Sequence, residues 1–537
     1  MDHSSYIIAL SLFAITVAAY LLRPDPHQPP CLPERIPYVS NTYQYITNQK
    51  RFLDRASQIL QRNSIIRFNL GTTRVYLVTG AQNIQRLFKT SKSIASEAMF
   101  AQLIFPKILG MPKDEVARFE RDLSGRAKVP NPGTENTPLD KRLWHASHHI
   151  YTEHLARSHS TQRLSDIYYG KLMKKLDEQP CGEWTTVRVF DFCRNQMGQA
   201  ATEALFGPRI FEINPDIMKA FWEFEAGAAS LFLGVPKWWN PKPYEARERF
   251  YAMVARYLDS AFDKFDWSRR DEIDWDDHFG AAVLRETAMW LKESGFADRT
   301  NAAMVAQVVF AANTNTIPIT TWGIMETARD TKMFSALRQE VQQAIVTDPT
   351  TGQTSINSQK LYSLPLLQSV YVEILRRHMS FNIVREVMEP IIMEGYTIGK
   401  GSLLEAPMQI AHHEEAVWGV PGHPASEFWA ERHVKYVDSK DEDGNVTQRR
   451  EFSMAGRPSS FFPYGGGLPV CPGRHFAKQE IMMTLGLIVA KFDIEFVEWA
   501  NMDGSLSDRA AEDNPDYAGA EAMPPDRDMK IRWKRLW

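Results

Sequence analysis

Cys471 is the residue of this chain best placed to do chemistry. It lies within Ser459-Ser-Phe-Phe-Pro-Tyr-Gly-Gly-Gly-Leu-Pro-Val-Cys-Pro-Gly-Arg-His-Phe-Ala-Lys-Gln-Glu480, where three glycines and two prolines leave little side-chain bulk ahead of the sulfur. Gly473 follows, and Phe476–Ile488 is apolar at helical spacing. A cysteine at such a loop-to-helix junction receives backbone N–H groups and the positive end of the helix dipole, so a lowered thiol pKa is expected. The bare backbone lets a flat cofactor lie against it. These features point to a thiolate axial ligand for haem iron, which pushes electron density toward O–O cleavage. The competing reading is a structural cysteine buried in a glycine loop. Cys31, Cys181 and Cys193 are too scattered for a disulfide framework or a zinc-finger spacing, which suits a reducing compartment.

A second group of reactive types sits in Thr300–Arg329, which reads as one long helix with Asn301 as its cap. Its first half, Ala302–Ala312, is apolar nearly all round, as a buried helix is. Asn313, Thr314, Asn315 and Thr316 then interrupt it, and Pro318 excludes a regular bond to the Thr314 carbonyl. A kink there would open the backbone beside side-chain donors and make room for dioxygen and water. The alternative is a buried helix whose hydroxyls bond backward to its own carbonyls. Further on, Glu373 and Arg376 share a face of a helix expected to start at Ser363, with Pro365 in its first turn. Taken alone, such a pair is common on solvated helices.

The cysteine segment resembles the haem-binding signature of the cytochrome P-450 family, Phe-x-x-Gly-x-x-x-Cys-x-Gly. Here it reads Tyr464, Gly467, Cys471 and Gly473, with Tyr in place of Phe. Where the family often has a propionate-facing Arg or His, this chain has Pro469, so that contact must come from elsewhere. Glu373 and Arg376 resemble the family's E-x-x-R motif, and Phe428-Trp-Ala-Glu-Arg432 its later arginine motif. The resemblance implies a structural Glu373–Arg376–Arg432 cluster beneath the haem, and a propionate-pairing role for Arg385. The family's W-x-x-x-R is only partly represented, by Trp144 and His148, and no site is assigned there. At the distal turn the family commonly reads Ala/Gly-Gly-x-Asp/Glu-Thr, an acid–alcohol pair that relays protons. Here Ala311-Ala-Asn-Thr314-Asn315 lacks the acid and has an amide for the alcohol. Asn315-Thr-Ile-Pro318 is similar instead to the branch with cholesterol 7α-hydroxylase and prostacyclin synthase, which holds both hydroxylases and an isomerase.

The elements that must position these residues are legible in outline. Tyr6–Leu22 is an uncharged apolar run, long enough for a slightly short membrane span. Its amino end, MDHSS, has no Lys or Arg, and Arg23 follows the run, so an anchor with a cytosolic body is expected rather than a cleaved signal. Six prolines between 24 and 37 make a stiff spacer. Ile65–Gly80 alternates about Gly71 as a hairpin does, and Ala81–Phe88 returns to helical spacing. Leu139–Arg377 is mainly helical, with β-type segments at Ile391–Ile398, Ser402–Pro407 and Met529–Trp533. Asp438–Arg450 reads as an exposed charged loop, and its Asn445-Val-Thr447 glycosylation acceptor goes unused in the cytosol. Phe221–Phe224 and Leu231–Trp239 form an aromatic stretch that would roof a pocket or dip into the bilayer, or simply pack in the core. A formal charge of -3 over 537 residues gives no hint of nucleic acid, and no GxGxxG fingerprint marks a built-in reductase.

The resemblance implies a mainly α fold with a small β region behind a transmembrane helix: an anchor over 1–22, a hinge over 23–45 and a catalytic domain over 46–537. It implies haem b as cofactor, Cys471 as iron ligand, and Tyr464, Gly467, Gly473 and Arg385 as cofactor-binding residues. Thr314, Asn315 and Thr316, with ordered water, would deliver protons. The expected activity is oxygenation of a lipophilic terpenoid, steroid or polyketide-like molecule in secondary metabolism, at the endoplasmic reticulum membrane. Electrons would come from a separate NADPH-cytochrome P-450 reductase, with cytochrome b5 as an optional second donor. The alternative is a reductase-independent isomerase or dehydratase.

Overall fold

The computed structural model describes residues 27–89, 93–440, 446–457 and 460–537. The anchor expected at Tyr6–Leu22, the acceptor Asn445 and Ser459 lie outside them. Helices dominate, and those that frame the site are α1 (Ser158–Asp177), α2 (Ile217–Leu233), α3 (Lys242–Lys264), α4 (Asp298–Asn313), α5 (Thr316–Arg329), α6 (Pro365–His378) and α7 (Arg474–Lys491). The strands are β1 (Ile65–Leu70), β2 (Thr73–Val78), β3 (Ile94–Ala95), β4 (Trp184–Arg188), β5 (Asn382–Val387), β6 (Leu403–Pro407), β7 (Val434–Lys440), β8 (Val446–Phe452), β9 (Phe492–Ala500) and β10 (Asp528–Arg535). The main sheet runs β1-β2-β6-β5-β3, with β2 and β6 parallel and its other pairs antiparallel. A second sheet, β9-β10-β4, closes the carboxyl end onto the region before α2.

The expected hairpin forms with Leu70 opposite Thr73, and Gly71 takes the left-handed φ of 59° that the tight turn needs. The expected long helix forms in two pieces. Asn315 stands between α4 and α5, where Pro318 breaks the ladder. Taken as one length, Asp298–Arg329 is the only helix among the described residues long and apolar enough to cross a membrane, and 72% of that stretch is buried, as core is. It crosses the molecule against α6 and α7. A Cβ on Gly323 would come 2.8 Å from Ile374 and 2.9 Å from Leu485, so this glycine lets the three helices close on one another.

Three local expectations differ. Asn301 does not cap α4, which begins after Ala297; it is buried one turn inside, donating from Nδ2 to the Ala288 carbonyl at 2.8 Å. Ser363 ends the preceding short helix, and Leu364 precedes α6, with Pro365 at its first position. Of the stretch expected as a loop, Asp438–Lys440 and Val446–Arg450 are paired instead in the antiparallel strands β7 and β8. Tyr436 and Val437 are exposed there, so neither face shows the buried alternation that marks a strand.

Candidate active site

The cysteine loop is held by its own backbone. The Cys471 amide donates to the Tyr464 carbonyl at 3.0 Å, Val470 to Gly467 at 3.2 Å, and Gly465 to Phe462 at 2.8 Å. Gly467 has φ of 70°, and a Cβ there would lie 2.0 Å from the Phe88 carbonyl oxygen, so no other residue fits without moving the loop. Gly473 immediately precedes α7, and the N–H groups of Gly473 and Arg474 lie near the Cys471 sulfur, with the Arg474 N–H donating to the Cys471 carbonyl at 3.5 Å. Desolvation nevertheless outweighs these donors and the Arg474 guanidinium, so the free thiol is pushed up rather than down. Burial is the stronger effect, contrary to the dipole expectation. Coordination to a cation reverses that balance by removing the proton outright. Cys471 is accessible although protein crowds it densely, so its sulfur opens onto interior space. Ala311 is likewise exposed in the midst of the otherwise buried α4.

Tyr464 carries a hydroxyl that Phe would lack, and the fold uses it. It bonds the Tyr371 hydroxyl on α6 at 2.7 Å, tying the cysteine loop to the helix of the Glu–Arg pair. Two residues further along α6, Glu373 takes both Arg376 Nε and Nη2 at 2.8 Å and Arg432 Nε at 2.8 Å, all with side chains at 0% exposure. Burial alone would raise the Glu373 carboxyl, but Arg376, His433 and Arg432 hold it well below the usual carboxylate range. The remaining guanidinium donors go to carbonyls. Arg376 reaches His412 and Ala425 at 2.8 Å, and Arg432 reaches Trp418 at 2.7 Å and Glu427 at 2.8 Å. The cluster thus clamps an irregular segment by its backbone.

On the other side, the three expected proton donors part company. Thr316 bonds backward to the Ala312 carbonyl and stays within its own helix. The Asn315 carbonyl oxygen accepts the Ala522 amide at 3.0 Å, and its Nδ2 lies 3.4 Å from the Thr314 hydroxyl. Thr314 meets the carboxyl of Glu521, which is carried by the loop between β9 and β10. Sequence reading did not single out Glu521.

Arg385 on β5 is buried, and donates to the Leu87 carbonyl at 3.2 Å and to Val384 at 2.8 Å. Its pKa is lowered to about 10, chiefly by burial, with Glu97 opposing and Arg126 adding to the effect. Arg126 was not singled out either. Its Nε binds Glu97 at 3.0 Å, while its buried Nη2 has no protein partner. Two guanidinium groups near one carboxylate, one with an orphaned donor, fit an additional anion. Trp144 spends its indole N–H on the Phe119 carbonyl at 3.0 Å. Burial, Arg126 and neighbouring histidines lower the pKa of His148, so it brings no charge. In the aromatic stretch, Phe221 and Phe224 are core, whereas Trp238 and Trp239 are 83% and 74% exposed beyond the left-handed Gly234.

A bare glycine loop presenting an exposed cysteine, in one fold with a broken core helix and a pair of arginines around Glu97, fits the haem-thiolate class of protein. Comparison with known proteins agrees. The chain matches the Cytochrome P450 family over residues 29–506 and belongs to it. It is 45% identical to a cytochrome P450 monooxygenase of Penicillium decumbens, across 93% of this chain and 92% of that one. It is 28% identical to another of Humicola fuscoatra, across 95% and 88%. Cytochrome P450 7A1 of Sus scrofa is 26% identical across 65% of this chain and 66% of its own. The solved structure of retinoic acid-bound cyanobacterial CYP120A1 shares the fold, with a TM-score of 0.64 and 15% identity, covering 95% of this chain and 99% of that one. The chain is therefore a cytochrome P450 monooxygenase, and the family's cofactor is thiolate-ligated haem.

Proposed function

We propose that Cys471 is the axial ligand of that haem, and that the enzyme oxygenates a lipophilic terpenoid, steroid or polyketide-like molecule in secondary metabolism. The observation that carries the assignment is Cys471 itself, exposed in a glycine loop at the amino end of α7 and beside the N–H groups of Gly473 and Arg474. Haem bound there supplies the iron at which dioxygen is reduced by two electrons, one oxygen atom entering substrate and the other leaving as water. The rest of the work falls to the chain. Gly467 and Gly473 keep the backbone bare, Tyr464 fixes the loop to α6, and Arg385 with Arg126 holds the propionates in place of the residue that Pro469 replaces. Thr314 moves protons at its hydroxyl, and Asn315 holds the β9–β10 loop against the helix break. Thr316 keeps that break closed on its far side. Phe310 turns apolar surface to the region and is backed edge-on by the core rings of Phe221 at 6.2 Å and Phe224 at 5.9 Å.

The fungal monooxygenases among the relatives support the secondary-metabolic setting, and the steroid named for the cholesterol 7-alpha-monooxygenase of Cricetulus griseus supports a lipophilic substrate. The apolar run at 6–22 would anchor the chain in the endoplasmic reticulum membrane with 46–537 in the cytosol. A separate NADPH-cytochrome P-450 reductase, with cytochrome b5 as a second donor, would then supply electrons. The test is turnover with isotopically labelled dioxygen, reductase and NADPH, over a panel of terpenoid, steroid and polyketide probes. One labelled oxygen in the product is expected. Product formed without NADPH or reductase would favour the isomerase reading that Asn315 motivates.

A further inference from the structure

The family's distal acid–alcohol pair lies within one helical turn, and this chain has no acid there. The fold brings one from elsewhere. The loop between β9 and β10 is laid along the α4–α5 break and fixed on both flanks of residue 521. The Ala522 amide donates to Asn315 Oδ1 at 3.0 Å, the Trp322 indole to the Met523 carbonyl at 2.9 Å, and the Met523 amide to the His378 carbonyl at 2.8 Å. The Ser380 amide donates to the carbonyl of Glu521 itself at 3.2 Å, and Gly519 to the Ser380 hydroxyl at 3.0 Å. So held next to the Asn315–Ala522 bond, the Glu521 carboxyl lies beside the Thr314 hydroxyl at the break. Like Cys471, Glu521 is densely surrounded by protein yet keeps accessible surface, so it too opens onto interior space.

Resting on the reading of Cys471 as haem ligand, we propose that Glu521 supplies the missing acid of the distal proton relay, working through Thr314 across two elements. The Thr314 hydroxyl gives its proton to the dioxygen undergoing reduction and takes the proton of Glu521 in the same movement. The Thr314 O–H bond is restored, and Glu521 is left as carboxylate. The electrons are those of the established monooxygenase reaction, from its external reductase. Glu521 is reprotonated from the side of Glu225 on α2, whose carboxyl lies beside the Tyr517 phenol on the same loop as Glu521. The groups facing Glu521 are therefore Thr314, Glu225 and Tyr517, and Arg194 acts on Glu225 and Tyr517 behind them. Burial, then the Glu225 charge, raise the Glu521 pKa to about 8, against the opposing Thr314 hydrogen bond, so at neutral pH it holds the proton it is to give.

The test compares the wild-type holoenzyme with E521Q, E521D and T314V, each first shown to carry thiolate-ligated haem by its reduced carbon-monoxide difference spectrum. Infrared titration of the wild type is expected to show a protonated-carboxyl stretch that vanishes through about pH 8. The band should be missing from E521Q and shifted in T314V, where the alcohol that bonds it is gone. Reconstituted with reductase, the wild type's NADPH-driven oxygen reduction should fall over the same pH interval. E521Q should lose on the order of 10²-fold at neutral pH and with it that pH dependence, and E521D should recover part of both. A carboxyl titrating in the ordinary range, a band indifferent to T314V, or E521Q with the wild-type rate and pH profile would overturn the proposal. If E521Q does not load haem, the wild-type and T314V infrared spectra decide it alone. Failure of the underlying Cys471 reading is separate, since the wild type would then lack the thiolate spectrum from the start.

Discussion

Tyr464 and Tyr371 meet through their hydroxyls at 2.7 Å in surroundings that raise both phenol pKa values, chiefly by burial. Tyr464→Phe would leave Tyr371 with a buried, unpartnered hydroxyl, at a cost of about 1–3 kcal/mol. Replacing both by Phe removes donor and acceptor together, and the double variant is expected to be more stable than either single one in chemical denaturation. Equal or additive losses would show that the contact is not a coupled pair. At the propionate side, Arg126→Ala and Arg385→Ala are each expected to weaken haem retention by about 2 kcal/mol or more, read as the rate of haem transfer to apomyoglobin. The motif residues could be read from sequence because their spacing is local. Arg126 could not, since it sits in an aperiodic loop and is recognisable only by the partner its Nη2 lacks. Glu521 could not either, for it joins a helix break some two hundred residues earlier in the chain, where the Asn315–Ala522 contact spans 207 positions.

At the scale of elements, the Glu373–Arg376–Arg432 cluster holds α6 to the segment from His412 to Arg432. Arg432→Ala removes one of the two guanidinium groups that hold the buried Glu373 carboxylate, together with the donor to the Trp418 carbonyl, and should cost about 3–5 kcal/mol, seen as loss of folded protein or of haem loading. Unchanged thermal stability would mean the clamp is dispensable. The α4–α5 break was legible from Pro318, and so was the alternative that a hydroxyl bonds backward, which Thr316 adopts. Which side chain does which could not be read, because Thr314, Asn315 and Thr316 differ in direction by only one helical step each. Strands β7 and β8 were hidden for a different reason: a hairpin exposed on both faces needs no apolar alternation.

Over the whole molecule, several buried carboxyls keep their protons. Burial raises Glu405 to about 7 and Glu521 to about 8, and raises Glu480 well above the usual range. Below about pH 4.3 the folded and unfolded chains both hold these protons. As pH rises through the folded values, the unfolded chain has shed protons that the fold retained, so their contribution to stability is lost. Glu373 has the opposite sign: its contribution is present above the ordinary carboxylate range and is lost only in acid. Above about pH 6.5, where the buried His412 and His413 are neutral in folded and unfolded chains alike, the melting temperature of the holoenzyme is thus expected to fall toward about pH 8, and Glu480→Gln should flatten that slope. A melting temperature that climbs over this range would contradict the buried-acid account.

The central claim, that Cys471 is the thiolate ligand, is tested most directly by the reduced carbon-monoxide difference spectrum of the wild type beside Cys471→Ala. The account predicts a strongly red-shifted Soret band in the wild type, as thiolate ligation implies, and its loss in the variant. An imidazole-like spectrum in the wild type, or a red-shifted band that survives the substitution, would contradict it.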